Sequence, residues 1–177
     1  MPFPPPILAD GVVTLRPLAL VDCQAHLAGE DEELVRWLNG GAGTPERVDA
    51  YVQRCMAAWA AGGPTFAFGI RVGVDDVLVG TVEVQLEHAE LAPGQVNLAY
   101  GVYPSARRQG FATRAVVLTC AFAAAHPGIS EVVIRVDPRN GASAAVAVRA
   151  GFHFQERRIE AREGILDRYV RPVRPAD

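Results

Sequence analysis

Pro104-Ser105-Ala106-Arg107-Arg108-Gln109-Gly110-Phe111-Ala112-Thr113 is the stretch whose reading decides the fold. Ahead of it, the apolar run from Val96 to Tyr103 carries the branched and aromatic residues of a strand. Behind it, residues 112–125 hold neither Gly nor Pro and predict a helix, stopped by Pro127-Gly128. A turn between strand and helix leaves backbone N–H groups without partners at the helix N-terminus, where the helix dipole favours an anion. Gly110 and Ala112 keep that approach free of bulky side chains, while Arg107 and Arg108 put positive charge beside it. Read alone, the stretch is either a phosphate site or a plain helix cap.

A second stretch, Asp137-Pro138-Arg139-Asn140-Gly141-Ala142-Ser143, follows another strand, Glu131 to Val136, and opens a helix ending at Gly151-Phe152. Arg107-x-x-Gly110-x-Ala112, Asn140-x-x-Ser143 and Gly151-Phe152, in that order, resemble the GNAT acyltransferase superfamily. The branch most resembled is the ribosomal-protein N-terminal (Rim-type) acetyltransferases. The resemblance runs from Val12 to Tyr169 and is stronger in the second half. It implies an α/β fold with a mixed, mostly antiparallel central sheet flanked by helices. It also implies an enzyme that uses acetyl-CoA as co-substrate and no metal.

The same resemblance assigns roles. The backbone of Arg108, Gln109, Gly110, Phe111, Ala112 and Thr113 would hold the coenzyme A pyrophosphate, beside Arg107, with Gly110 required because a Cβ would meet the phosphate. The strand Leu98–Val102 would part from the next parallel strand and pair its free edge with pantetheine, eased by a bulge at Gly101. Amides near Tyr100 and Val102 would face the thioester carbonyl, and Tyr103 would sit by the pyrophosphate turn. Asn140 would serve both as N-cap and as a pantetheine partner, with Ser143 near the sulfur. Many members carry a tyrosine four positions after that serine as the acid; Ala147 stands there in this chain, which shifts weight to Ser143. Arg149, where the family often has lysine, lies either along the coenzyme or on the surface.

The base is read from strand parity. Members often have a glutamate at the position of Asn97, which can hold a water or the acceptor but cannot take a proton. Glu83 alternates with Val82 and Val84, so it is the candidate base if its side faces the cleft, with Glu87 and His88 next. His26, His126 and His153 are expected on helix or strand surfaces.

Length and composition set the frame. The 177 residues fit a short Pro-rich arm over 1–10 and one domain over 11–177. Half the residues are apolar and 21% are charged, as in a globular chain. No apolar run reaches the roughly 18 residues a membrane span needs. A net charge of −3 and no basic stripe argue against nucleic acid. Cys23, Cys55 and Cys120, odd in number, widely spaced and in apolar helical surroundings, read as buried free thiols in a reducing compartment, with the cytoplasm as the default. The protein is expected to be a monomer or a homodimer.

Along the chain, Val12–Leu18 predicts a strand. Residues 21–28 predict a helix whose Leu20, Cys23 and Leu27 share a face, and 31–38 add a helical turn with Trp37 packed inward. Thr44 caps a helix to about Ala60, with Val48, Val52, Cys55 and Trp59 on one apolar stripe. Residues 66–72, 77–86 and 96–102 form an antiparallel meander, 131–136 a parallel neighbour reached through the crossover helix, and 154–159 and 165–171 two final strands.

Three readings of the acceptor stay open: a peptide or protein N-terminal α-amine, a small amine such as an aminoglycoside or polyamine, and a catalytically silent acyl-CoA-binding module. Proton chemistry favours the first. An α-amine, with pKa near 7.7–8.0 against about 10.4 for lysine, needs little help from a base that the chain supplies sparingly.

Overall fold

Eight strands form one sheet in the computed structural model, which describes residues 5–173. They are β1 (Leu8–Ala9), β2 (Val13–Pro17), β3 (Thr65–Val72), β4 (Val77–Gln85), β5 (Gln95–Val102), β6 (Glu131–Val136), β7 (His153–Glu160) and β8 (Gly164–Pro172). Their order across the sheet is β1-β2-β3-β4-β5-β6-β8-β7, and every pairing is antiparallel except β5 with β6. Of the predicted N-terminal arm, residues 1–4 lie outside the described residues, and Leu8–Ala9 add an edge strand to β2.

Among the described residues five α-helices accompany the sheet: α1 (Cys23–Ala28), α2 (Glu32–Leu34), α3 (Pro45–Ala61), α4 (Phe111–Ala124) and α5 (Gly141–Arg149). The helix α2 runs into a π-helical turn, Val35–Asn39, which ends at Gly40 in the left-handed conformation. Thr44 caps α3 by accepting from the Arg47 N–H, Pro45 occupies its first turn, and Gly62 ends it at φ 78°.

Both faces of the sheet are covered, which is why β3 is buried from Phe66 to Ile70 without a polar interruption. Phe66, Phe68 and Ile70 join Ala115, Val116, Phe122 and Ala123 of α4 in the larger core. Ala67 instead joins Leu18, Leu34, Val48, Val52, Cys55 and Tyr103 beneath α1–α3. Trp59 packs on Phe66, Phe68 and Phe122, in the core as expected. Leu20 does not share the face of Cys23 and Leu27; it lies in a 3-10 turn and is half exposed.

The parallel pair is short. β5 and β6 match from Gln95↔Glu131 to Leu98↔Ile134 and then part, while β5 stays in register with β4 as far as Gly80↔Val102. No bulge interrupts β5, contrary to expectation; the irregularity on that side of the sheet falls in β3, between Ile70 and Arg71. Gly101 serves close packing instead. A Cβ there would lie 2.5 Å from Leu34 Cδ2 and 2.9 Å from Leu38 Cδ2, so its absence lets the π-helical turn settle on the strand.

Candidate active site

Where β5 leaves β6, the backbone from Ala99 to Val102 has no ladder partner on that side. The opening is continuous with a cleft of about 1260 Å³ lined by α3, the π-helical turn, β4, β5, the start of α4 and the cleft-facing side of α5.

One end of the cleft is the start of α4. Gly110 caps the helix at φ 81° with no side-chain cap, so the N–H groups of its first turn are left to a ligand or to water. Arg108 is also left-handed, at φ 62°, a conformation unusual for a residue with a Cβ. No atom lies within 4 Å of where a Gly110 Cβ would stand, so the turn is an open concavity. Beside it the Thr113 hydroxyl oxygen is buried and lacks a hydrogen-bond partner. An orphaned donor, bare N–H groups and open space at a helix N-terminus fit a diphosphate.

Arg107 does a different job from the one expected. Its guanidinium grips Asp31 through two bonds of 2.7 and 2.8 Å, meets Glu33 at 3.1 Å and donates from Nε to the Val102 carbonyl at 3.0 Å. With its charge matched by two carboxylates, Arg107 ties α2 to the turn rather than offering a free cation. The grip also holds the Asp31 carboxyl below its usual range. Gln109 folds back onto the Ser105 carbonyl at 3.4 Å and stays out of the cleft.

Midway, β5 and α5 face each other. Asn140 caps α5 by accepting from the Ser143 N–H at 3.1 Å, and both residues line the cleft. The Tyr100 hydroxyl donates to the Ser143 carbonyl at 2.9 Å and lies 3.0 Å from Ser143 Oγ. Burial pushes the Tyr100 phenol up to about 12, so it keeps its proton throughout the physiological range. Tyr100, expected to act through its amide, thus also brings a hydroxyl to the serine. Val102 and Arg149 line the cleft as well.

Besides Gln109, two expected coenzyme contacts are absent from the lining. Ala147 is fully buried, because the side of α5 that meets the cleft runs through Ala142, Ala145, Val146 and Arg149 and turns Ala147 into the core. Tyr103 is buried against Gly29, with its hydroxyl 2.7 Å from His26 Nδ1.

At the far end Glu83 does face the cleft. One carboxylate oxygen accepts from the Tyr51 hydroxyl and the other from Gln85 Nε2 at 3.2 Å. Gln85 in turn accepts from Asn97 Nδ2 at 2.9 Å, and Asn97 accepts from Arg135 Nε at 3.1 Å. Asn97 is therefore a buried link in a chain of amides, its side chain engaged at both ends. Glu87 and His88 sit on the loop after β4, outside this cleft. His26, read as a surface residue, lines the cleft instead and stacks on Tyr51 at 5.5 Å between ring centroids; burial holds it below the usual histidine range. Trp37 is likewise in the cleft rather than packed inward, with the Arg36 guanidinium 4.3 Å and the Arg139 guanidinium 5.6 Å from its ring centroid. Neither His26 nor Trp37 has a sequence marker of its own, since each depends on how the α1–α3 segment lies over β4 and β5.

The family model described as the acetyltransferase (GNAT) domain matches residues 13–153. No curated protein sequence matches the chain significantly. Among solved structures, an acetyltransferase from Salmonella typhimurium that modifies the N-terminal serine of ribosomal protein L7/L12 superposes with a TM-score of 0.80 at 18% identity, covering 95% of this chain and 99% of its own. RimL, the ribosomal L7/L12 α-N-protein acetyltransferase in complex with coenzyme A, gives 0.81 at 18%, covering 97% and 100%. The aminoglycoside enzyme AAC(6')-Ib, in complex with paromomycin and acetyl-CoA, gives 0.74 at 17%, covering 91% and 93%.

Proposed function

This chain belongs to the GNAT acetyltransferase family, and from that premise we propose that it acetylates the N-terminal α-amine of a protein or peptide. Acetyl-CoA is the donor and supplies an acetyl group already activated as a thioester. The observation that carries the reading is one continuous cleft with the α4 turn at one end, the Tyr100–Ser143 pair midway and Glu83 at the other.

Each group then has a task. The N–H groups of Gly110 to Thr113 and the Thr113 hydroxyl hold the diphosphate, and the free edge of β5 orients the pantetheine arm. Glu83 keeps a lone pair on each oxygen after its bonds to Tyr51 and Gln85, enough to receive an ammonium proton directly or through one water. Ser143 holds a proton beside the sulfur. As the C–S bond breaks, the Ser143 hydroxyl donates a hydrogen bond to the departing thiolate, and the Tyr100 hydroxyl, 3.0 Å from Oγ, supports it while keeping its own proton; the proton that Glu83 takes from the amine reaches the thiolate through solvent.

A single carboxylate already shared by two donors suits an acceptor that is easily deprotonated. At pH 7 about a tenth of α-amines are neutral, against less than roughly a thousandth of lysine side chains. Two solved structures that share this fold are of acetyltransferases acting on L7/L12, and the aminoglycoside enzyme shares it too, so the fold accommodates this choice. The test compares kcat/KM for a short peptide with a free N-terminus and for the same peptide N-blocked and carrying one lysine. At least a tenfold preference for the free N-terminus is expected. Equal rates or a lysine preference contradict the proposal, and reaction of a polyamine or aminoglycoside alone would replace the acceptor.

A further inference from the structure

The acceptor half of the cleft is electrostatically one-sided. Every carboxylate that lines the cleft is already engaged by the protein. Glu30 accepts from Asn39 Nδ2 and from the Gly43 N–H, both at 2.6 Å, and Glu33 meets Arg107 at 3.1 Å. Asp137 is held by Arg139 at 2.7 Å, Glu163 by Arg135, and Glu83 by Tyr51 and Gln85.

The arginines of the same half are in the opposite condition. Arg36, Arg47 and Arg54 all line the cleft, and among the described residues none has a carboxylate within ion-pair distance. The Arg47 side chain bonds the Ala42 carbonyl, at 2.7 Å, and no carboxylate, while Arg36 rests on the Trp37 ring. Arg47 and Arg54 stand one turn before and one turn after Tyr51 on the cleft side of α3, and Tyr51 holds Glu83. A helical turn rises about 5.4 Å, and an extended peptide advances about 3.3 Å per residue. A peptide whose amine reaches Glu83 therefore brings its next two or three side chains past these arginines.

We propose that the slot selects acidic N-terminal segments, peptides carrying Asp or Glu within the first few residues after the acetylated one, with Arg36, Arg47 and Arg54 as the selecting cations. This rests on the α-amine reading of the same site. The matching of charge accounts for both halves of the pattern: the protein's own acids are quenched, and its cations are left for the ligand. A polycation such as an aminoglycoside meets three guanidinium groups without an ion-pair partner among the described residues, and no free carboxylate except the lone pairs left on Glu83.

The experiment uses three peptides of equal length and the same first residue, with acidic, amide or basic side chains at positions two to four. Acidic peptides should exceed the amide set in kcat/KM by several-fold to about tenfold at low salt, with basic ones lowest, and the spread should shrink in 0.5 M salt. The double reversal Arg47→Glu with Arg54→Glu should invert the order, an outcome that loss of folding cannot produce. Equal kcat/KM for all three, with a free N-terminus still required, overturns this inference and leaves the α-amine reading intact. A basic preference overturns it too. Failure of every peptide to be acetylated overturns both.

Discussion

In the proposed reaction Tyr100 and Ser143 are the residues on which the chemistry turns, because the chain has Ala147 where the family resemblance leads one to expect a tyrosine. That alanine is fully buried in the core and does not line the cleft. The hydroxyl comes from β5 instead, 3.0 Å from Ser143 Oγ. A serine alone is a poor acid, and a buried tyrosine that stays protonated and donates to Oγ makes a pair able to hold a hydrogen bond on the departing sulfur. Loss of one hydrogen bond to a developing charge is worth about 1.5–3 kcal/mol, one to two decades in rate. Ser143→Ala and Tyr100→Phe should each lower kcat by about that much with little change in acetyl-CoA affinity. The double variant should be scarcely worse than the poorer single one, because both act through one bond. Additive losses, or an unchanged kcat in either, would make the pair a strut between β5 and α5 and nothing more.

Among the elements, the start of α4 matters most. Gly110 at φ 81° is a position where any Cβ is strained, by about 1–3 kcal/mol, whatever the space around it. Coenzyme A bound only to the folded chain at a hundred times its Kd adds about 2.7 kcal/mol of stability. Wild type should therefore melt at a higher temperature with coenzyme A than without. Gly110→Val should melt lower, still cooperatively, with the ligand-induced rise abolished. A rise that survives in the variant would move the diphosphate elsewhere. Gly110 was readable in the sequence because strand, glycine turn and helix each carry a local sign, as do the capped start of α3 at Thr44 and its stop at Gly62. The strands were legible for the same reason, in branched residues bounded by turns. What was not legible depends on packing between distant segments. Arg107 looked like a phosphate cation, yet Asp31, 76 positions away, neutralises it. Tyr103 followed the strand next to the turn, but the ring fits against Gly29. Glu83 was identified by parity alone, whereas its partner Tyr51 comes from α3 and could not be paired with it beforehand. The π-helical turn, which brings Trp37 and Arg36 to the cleft, has no periodicity to betray it.

At the scale of the whole molecule, one parallel pair in an otherwise antiparallel sheet makes the site. The crossover through α4 forces β5 and β6 to run side by side, and their parting after Leu98 and Ile134 opens the sheet from within. In the proposed function the two helical groups divide the work: α4 and α5 form the donor half, and α1–α3 with the π-helical turn form the acceptor half. No helix of the described residues is long and apolar enough to cross a membrane. The central claim is that this opening receives the donor, with its diphosphate at the N-terminus of α4 and its sulfur end between β5 and α5. A crystal structure with coenzyme A bound tests it most directly. The account predicts diphosphate density within hydrogen-bond distance of the N–H groups of Gly110 to Thr113 and of the Thr113 hydroxyl, and a sulfur within reach of Ser143 Oγ. Coenzyme A bound outside the β5–β6 opening, or with its sulfur remote from Ser143 and Tyr100, would contradict it.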